Sequence, residues 1–122
     1  MKKLVVIDDE NDFCTLVKLR CGKNGVECRY ANTLAEGMNL LNEFTPDVLI
    51  LDNNLPDGHG WQKIDYLLEH YPEITVNLIT AKNSFEADSQ NYSKKSNRIS
   101  LYAKPLSLPQ LDKIMCEQQH VG

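Results

Sequence analysis

Three acids stand in a row near the N-terminus, Asp8-Asp9-Glu10, directly after the apolar run Leu4 to Ile7. Asp52 closes a second apolar run and leads into Asn53-Asn54. Thr80-Ala81 and Lys104-Pro105 each end a further run. Taken singly, these are ordinary. An Asp after a strand is most often a solvated loop acid or a helix N-cap. Lys104 before a proline reads as a surface lysine, and Asp57-Gly58 is a common turn pair. Gathered on one edge of a sheet, they become a cluster of carboxylates, a hydroxyl and one ammonium. Two carboxylates ~4 Å apart repel by on the order of 4 kcal/mol at an effective dielectric of about 20. A hard divalent cation with oxygen ligands answers that repulsion, and Mg2+, which keeps several of its waters, is the cation expected. Acids alone repel a phosphate. Acids with a metal, Lys104 and Thr80 are equipped to stabilise a phosphoryl group in transfer. Asp52 is then the candidate nucleophile, forming an acyl phosphate.

Those residues need strands behind them. Leu4-Val5-Val6-Ile7 and Val48-Leu49-Ile50-Leu51 are apolar at every position, as suits parallel strands covered on both faces. Ile74 to Ile79 is a weaker run with Thr75 and Asn77 inside it, and Val26 to Ala31 and Ile99 to Ala103 are shorter candidates. Helical stripes lie between. Phe13, Leu16, Val17 and Cys21 place a helix at about 11–23, stopped by Asn24-Gly25. Thr33 to Glu36 is a capping-box pattern ahead of Met38, Leu40 and Leu41, ended before Pro46. Trp61, Ile64, Leu67 and Leu68 form a third stripe, stopped near Pro72. Ser107 opens the last helix, with Pro109 in its first turn and Leu111, Ile114 and Met115 as its apolar face. A helix is expected around 84–95, but its core-facing stripe is thin, so Lys82 to Arg98 is expected to be the least stable segment. The order is β-α five times. It implies right-handed crossovers and an α/β, doubly wound parallel sheet, with the site at the carboxyl ends of the strands.

The chain has 122 residues, of which 42% are hydrophobic and 25% charged, as expected for one globular domain over residues 1–122. No apolar stretch approaches the ~18 residues of a membrane span, and the run after Met1-Lys2-Lys3 is too short for a signal peptide. A cytoplasmic protein is expected. The net charge of −4 argues against nucleic-acid binding by phosphate neutralisation. The one basic concentration, Lys94-Lys95 with Arg98, reads as a solvated loop. No C-x-x-C pair occurs, and His59, His70 and His120 are not spaced as zinc partners. Cys14, Cys21, Cys28 and Cys116 are therefore expected as free, mostly buried thiols in a reducing compartment.

Asp8-Asp9-Glu10, Asp52, Leu55-Pro56-Asp57-Gly58-x-Gly60, Thr80-Ala81 and Lys104-Pro105 together resemble the receiver domain of bacterial two-component response regulators, in order and spacing, over essentially the whole chain. The resemblance implies five parallel strands in the flavodoxin-like order 2-1-3-4-5, with five helices. It implies that Asp52 takes a phosphoryl group from a sensor histidine kinase or a histidine phosphotransfer protein. Asp9 and Asp52 would ligate Mg2+, with Asp8 directly or through water and the Asn54 carbonyl as a further ligand. Lys104 would pair with the phosphoryl oxygens, and the Thr80 hydroxyl and Ala81 N–H would donate to them. A cis bond is expected between Lys104 and Pro105. The surface of the fourth helix, fifth strand and fifth helix would then shift and control a downstream protein or effector domain. A monomer or weak dimer is expected, with no membrane contact.

The chain departs from the family where an aromatic commonly precedes the lysine by three residues. That position is Leu101, and Tyr102 should face the other way. Either the strand shifts register or the aromatic toggle is missing. The alternative to a phosphorylated switch is a receiver-like scaffold that binds its partner without phosphorylation. A haloacid-dehalogenase phosphatase would want D-x-D where Asp52-Asn53-Asn54 stands. A flavin binder would want a Ser/Thr/Gly phosphate loop where Asp8 to Asp12 stands. G-x-G-x-x-G and P-loop motifs do not occur.

Overall fold

The computed structural model describes residues 2–92 and 94–116; Ser93 and His120, both touched by the expectations above, lie outside the described residues. Five strands form one parallel sheet: β1 (Lys3–Ile7), β2 (Glu27–Ala31), β3 (Val48–Asp52), β6 (Thr75–Thr80) and β7 (Ile99–Ala103). Their spatial order is β2-β1-β3-β6-β7, the expected 2-1-3-4-5. β4 (Asn54–Leu55) and β5 (Gly58–His59) make a separate antiparallel hairpin that the apolar pattern does not announce. The helices are α1 (Asn11–Lys23), α2 (Leu34–Glu43), α3 (Ile64–His70), α4 (Phe85–Tyr92) and α5 (Leu108–Cys116), with a 3-10 turn at Gly60–Lys63 before α3.

Alternation along the strands builds two cores. Val5, Ile7, Leu49, Leu51, Val76 and Leu78 face α2 and α3. Leu4, Val6, Val48, Ile50 and Ile79 face Cys14, Val17 and Cys21 of α1 and Leu111, Ile114 and Met115 of α5. Three of the four thiols are buried, and all four are free. Helix ends follow local chemistry. Asn24 and Gly25, at φ +70°, close α1. Ser107 Oγ accepts from the Gln110 N–H and Gln110 Oε1 from the Ser107 N–H, a capping box that opens α5. Thr33 Oγ1 accepts from the Glu36 N–H at 3.1 Å to begin α2.

Two expected core residues lie elsewhere. Leu16 and Trp61 are each 39% exposed. The buried stripe of α1 is Cys14, Val17 and Cys21, and Trp61 falls in the 3-10 turn, before the period of α3 begins. α4 buries none of its residues, in keeping with the thin stripe read in its sequence.

Arg98 is not part of a solvated loop. Its guanidinium donates to the carbonyls of Leu68 (2.8 Å) in the last turn of α3 and of Tyr71 (2.8 Å) and Ile74 (3.0 Å) in the connection to β6. Lys95 also bridges to Asp65 of α3 at 2.9 Å. The basic stretch therefore ties the α4–β7 connection to α3. Arg98→Met keeps the stem and removes the charge-assisted bonds. It is expected to lower stability by about 1–2 kcal/mol, read as a fall in melting temperature of about 5 °C. An unchanged melting curve would show that the three bonds are redundant.

Candidate functional site

β1 and β3 lie side by side, so their carboxyl ends bring Asp8 and Asp9 beside Asp52. One oxygen from each of the three carboxylates lies within 4.8 Å of the others. Asp8 and Asp52 are buried, whereas Asp9 is exposed. Asp8 is held by its surroundings: its carbonyl accepts from Asn32 Nδ2 at 2.9 Å and from Cys14 Sγ at 3.4 Å, and its Oδ1 takes the Glu10 N–H at 2.8 Å.

Asp52 is fully buried. Its Oδ1 accepts from Lys104 Nζ at 2.9 Å and from the Asn54 N–H at 3.2 Å. Its Oδ2 is buried with no hydrogen-bond partner among the described residues. Lys104 reaches it because β7 pairs with β6 and the Lys104 N–H donates to the Thr80 carbonyl at 2.8 Å. The Lys104–Pro105 bond is cis, as expected. Thr80 is buried at the end of β6, and its hydroxyl turns to the Ala81 carbonyl at 3.5 Å rather than to Asp52. Ala81 opens the turn into α4, where its carbonyl accepts from Ser84.

The charges are unequally placed. Burial pushes the Asp8 carboxyl up to about 6, and the negative charge of Asp52 adds to the push. Burial also raises Asp52, against the opposing bonds from Lys104 and Asn54. For Lys104, burial opposes the ammonium, but the bond and charge of Asp52, with Asp8 and Glu10, outweigh it and hold its pKa up. One lysine does not neutralise three acids. An all-oxygen donor set, an orphaned buried Oδ2 and two carboxyls raised by burial fit a hard divalent cation.

The β3–α3 connection is built close around Asp52. The Asn53 carbonyl takes the Gly60 N–H at 3.0 Å, and Asn53 Oδ1 takes the Trp61 N–H at 2.9 Å. A Cβ on Gly60 would lie 2.6 Å from the Asp52 carbonyl oxygen. Beside the acids a cleft of about 160 Å3 opens between Phe13, Ile79 and Leu106, with Asp8, Glu10 and Lys104 on its wall.

β7 pairs with β6 without interruption: Leu101 lies opposite Leu78 and Tyr102 opposite Ile79. Leu101 packs on the α2–α3 side and Tyr102 on the α1–α5 side. The position three before the lysine therefore carries no aromatic. Sequence reasoning also missed Asn32, Asn53 and Asp57 as structural partners of the site. The contacts of Asn32 and Asp57 join segments distant in the chain, that of Asn53 closes a loop without a periodic pattern, and only the turn chemistry of Pro56-Asp57-Gly58 was visible.

A profile of the response regulator receiver domain family matches residues 4–115. The chain is 28% identical over 114 residues to the response regulator protein PilR of Pseudomonas aeruginosa, covering 93% of this chain and 25% of that protein. It is 27% identical over 89 residues to the DNA-binding transcriptional regulator NtrC of Proteus hauseri, covering 73% and 19%. Thus it spans about a quarter or less of the length of these two relatives. Among solved structures, the beryllofluoride-activated NtrC4 receiver domain dimer superposes with a TM-score of 0.81 at 27% identity, over 94% of this chain and 93% of that one. The non-phosphorylated HemR receiver domain of Leptospira biflexa gives 0.80 at 17% identity over 100% of both, a likeness of fold alone.

Proposed function

Because the chain belongs to the response regulator receiver domain family, we propose that it is a phosphorylation-driven switch in which Asp52 is the phospho-acceptor and residues 1–122 act as one receiver unit. The observation that carries this reading is the buried Asp52 carboxylate, with one oxygen on Lys104 and the other unpartnered among the described residues. In the proposed step an Asp52 oxygen attacks phosphorus, the N–P bond of a phosphohistidine breaks, and the imidazole leaves with its electron pair and takes a proton. The donor is a sensor histidine kinase or a histidine phosphotransfer protein. The apolar cleft beside Phe13 and the exposed Leu16 and Leu19 on α1 support docking of such a donor at this edge. Asp8, Asp9, Asp52 and the Asn54 carbonyl would hold Mg2+. When bound, it supplies positive charge that the acids lack and that the transferring oxygens require. Lys104 follows the phosphoryl oxygens, and Thr80 and the Ala81 N–H turn to them.

No other chemistry is proposed: the chain gains and loses its own phosphoryl group. The output is carried by α4, β7 and α5 toward a downstream protein or effector domain, with no direct nucleic-acid contact. α4, none of whose residues is fully buried, supports an element able to shift. The activated NtrC4 receiver was solved as a dimer, and here a monomer or weak dimer is proposed. No helix of the described residues is long and apolar enough to cross a membrane; a cytoplasmic site of action is proposed on the family membership. Leu101 in place of an aromatic favours, as second reading, a scaffold insensitive to phosphorylation.

Intact mass after incubation with acetyl phosphate and Mg2+ tests the switch. One added phosphoryl group is expected with Mg2+, and none with a chelator. Neither an adduct nor released phosphate would leave the scaffold reading.

A further inference from the structure

Asp57 spans two parts of the fold. It sits at the turn of the β4–β5 hairpin, yet its Oδ1 accepts from the Leu34 N–H at 2.8 Å and its Oδ2 from the Ala35 N–H at 2.9 Å. These are the first two free N–H groups of α2, and Thr33 takes the next, that of Glu36. Two oxygens on two adjacent N–H groups fix the direction of the carboxylate as well as its distance. The helix dipole favours the negative charge there, and the two backbone bonds hold the carboxyl below its usual range.

The other end of the hairpin is the site. Asn54, the first residue of β4, donates its N–H to Asp52 Oδ1, and its carbonyl is the proposed metal ligand. The root of the hairpin is pinned through Asn53. The strands are only two residues long, too short to hold themselves in water. The tip is held from outside, by α2.

We propose that Asp57 is a positioning residue for the metal-binding loop: by fastening the hairpin tip to the start of α2, it fixes the direction in which the Asn54 carbonyl meets Mg2+. The inference rests on the reading of Asp8, Asp9, Asp52 and Asn54 as the Mg2+ site. Asp57 touches neither the metal nor the phosphoryl group; it acts through the backbone of the hairpin.

Calorimetric titration with Mg2+ alone tests it, on wild type, Asp57→Ala, Asp57→Asn and Thr33→Ala. Asp57→Ala is expected to weaken Mg2+ binding about tenfold, the loss usual when a support behind a ligand is removed. Asp57→Asn keeps one acceptor and should fall between, and it carries the test should Asp57→Ala not fold. Thr33→Ala removes a cap from the same helix without touching the hairpin, so its Mg2+ affinity should match wild type. With acetyl phosphate, Asp57→Ala should need more Mg2+ for half-maximal phosphorylation while reaching the same extent at saturation. Wild-type affinity in both Asp57 variants would overturn the proposal. So would a Thr33→Ala loss as large as that of Asp57→Ala, which would assign the effect to α2 itself. Wild-type protein that takes up no Mg2+ would overturn the metal reading beneath it, a distinguishable failure.

Discussion

Replacing Asp52 with asparagine is expected to abolish phosphoryl uptake entirely and, in the presence of a chelator, to make the protein more stable. The first effect follows because an amide oxygen is too weak a nucleophile to form the acyl phosphate. The second follows from burial. Asp52 is fully buried, its pKa is raised despite Lys104, and Asp8 and Asp9 press on it from within 4.8 Å. An asparagine keeps an acceptor for Lys104 and for the Asn54 N–H while removing the charge. A melting temperature higher by about 5 °C, roughly 1 kcal/mol for a domain of this size, is expected. A variant that melts lower than wild type in chelator would sink the view that the acids are held together for a bound cation.

The same strain fixes a pH dependence. The Asp8 carboxyl is raised from 3.8 to about 6 in the folded state, so the folded chain binds this proton more tightly than the unfolded chain. The stabilisation is complete below the unfolded value near 4 and disappears as pH rises through about 6. In chelator, lowering the pH from 7.5 to 5 should therefore stabilise the protein, by about 1 kcal/mol from Asp8 alone. Asp57, shifted the other way by its bonds to α2, loses its contribution in the acid range, so the gain must turn over below the ordinary carboxylate values. With Mg2+ the slope should reverse, since a metal held by ionised oxygens leaves as they are protonated. Melting curves across pH, with and without Mg2+, read both slopes. Chelated protein that is less stable at pH 5 than at pH 7.5 would contradict the placement of Asp8.

How much of this was legible depended on distance along the chain. Leu4 to Ile7 and Val48 to Leu51 announced central strands because both faces of the sheet are covered, and with them the edge where Asp8 and Asp52 meet. Ser107 and Gln110 announced the start of α5 because a capping box is a local exchange of two bonds. Arg98 misled because a cation beside two lysines looks solvated, and its three acceptors lie 24 to 30 residues away. Asp57 hid for the same reason, since Leu34 is 23 residues distant. Leu16 and Trp61 show the limits of periodicity: on α1 the stripe gave the period while packing buried Cys14, Val17 and Cys21 instead of Leu16, and Trp61 falls in the 3-10 turn, where the helical period does not hold.

Gly60→Ala is expected to be strongly destabilising, for a reason unrelated to backbone freedom. The new Cβ would stand 2.6 Å from the Asp52 carbonyl oxygen and 2.9 Å from Leu51 Cγ. The nearer obstacle is backbone at the end of a central strand. That strand is paired on both sides, so it cannot give way as a side chain can. The glycine cannot retreat either, because its N–H is bonded to the Asn53 carbonyl and the neighbouring Trp61 N–H to the Asn53 side chain. Relief must come from moving Asp52 or breaking those bonds, at a cost of about 3 kcal/mol. That corresponds to a melting temperature lower by roughly 12 °C. Gly22→Ala is the counter-case, since nothing lies within 4 Å of its Cβ and it sits inside α1. It should stabilise by about 0.5–1 kcal/mol. Because the displaced atom belongs to the proposed acceptor, Gly60→Ala should also slow phosphoryl uptake from acetyl phosphate at saturating Mg2+, below the melting transition. Loss of stability with an unchanged rate would mean that the strand end absorbs the clash without moving the Asp52 carboxylate.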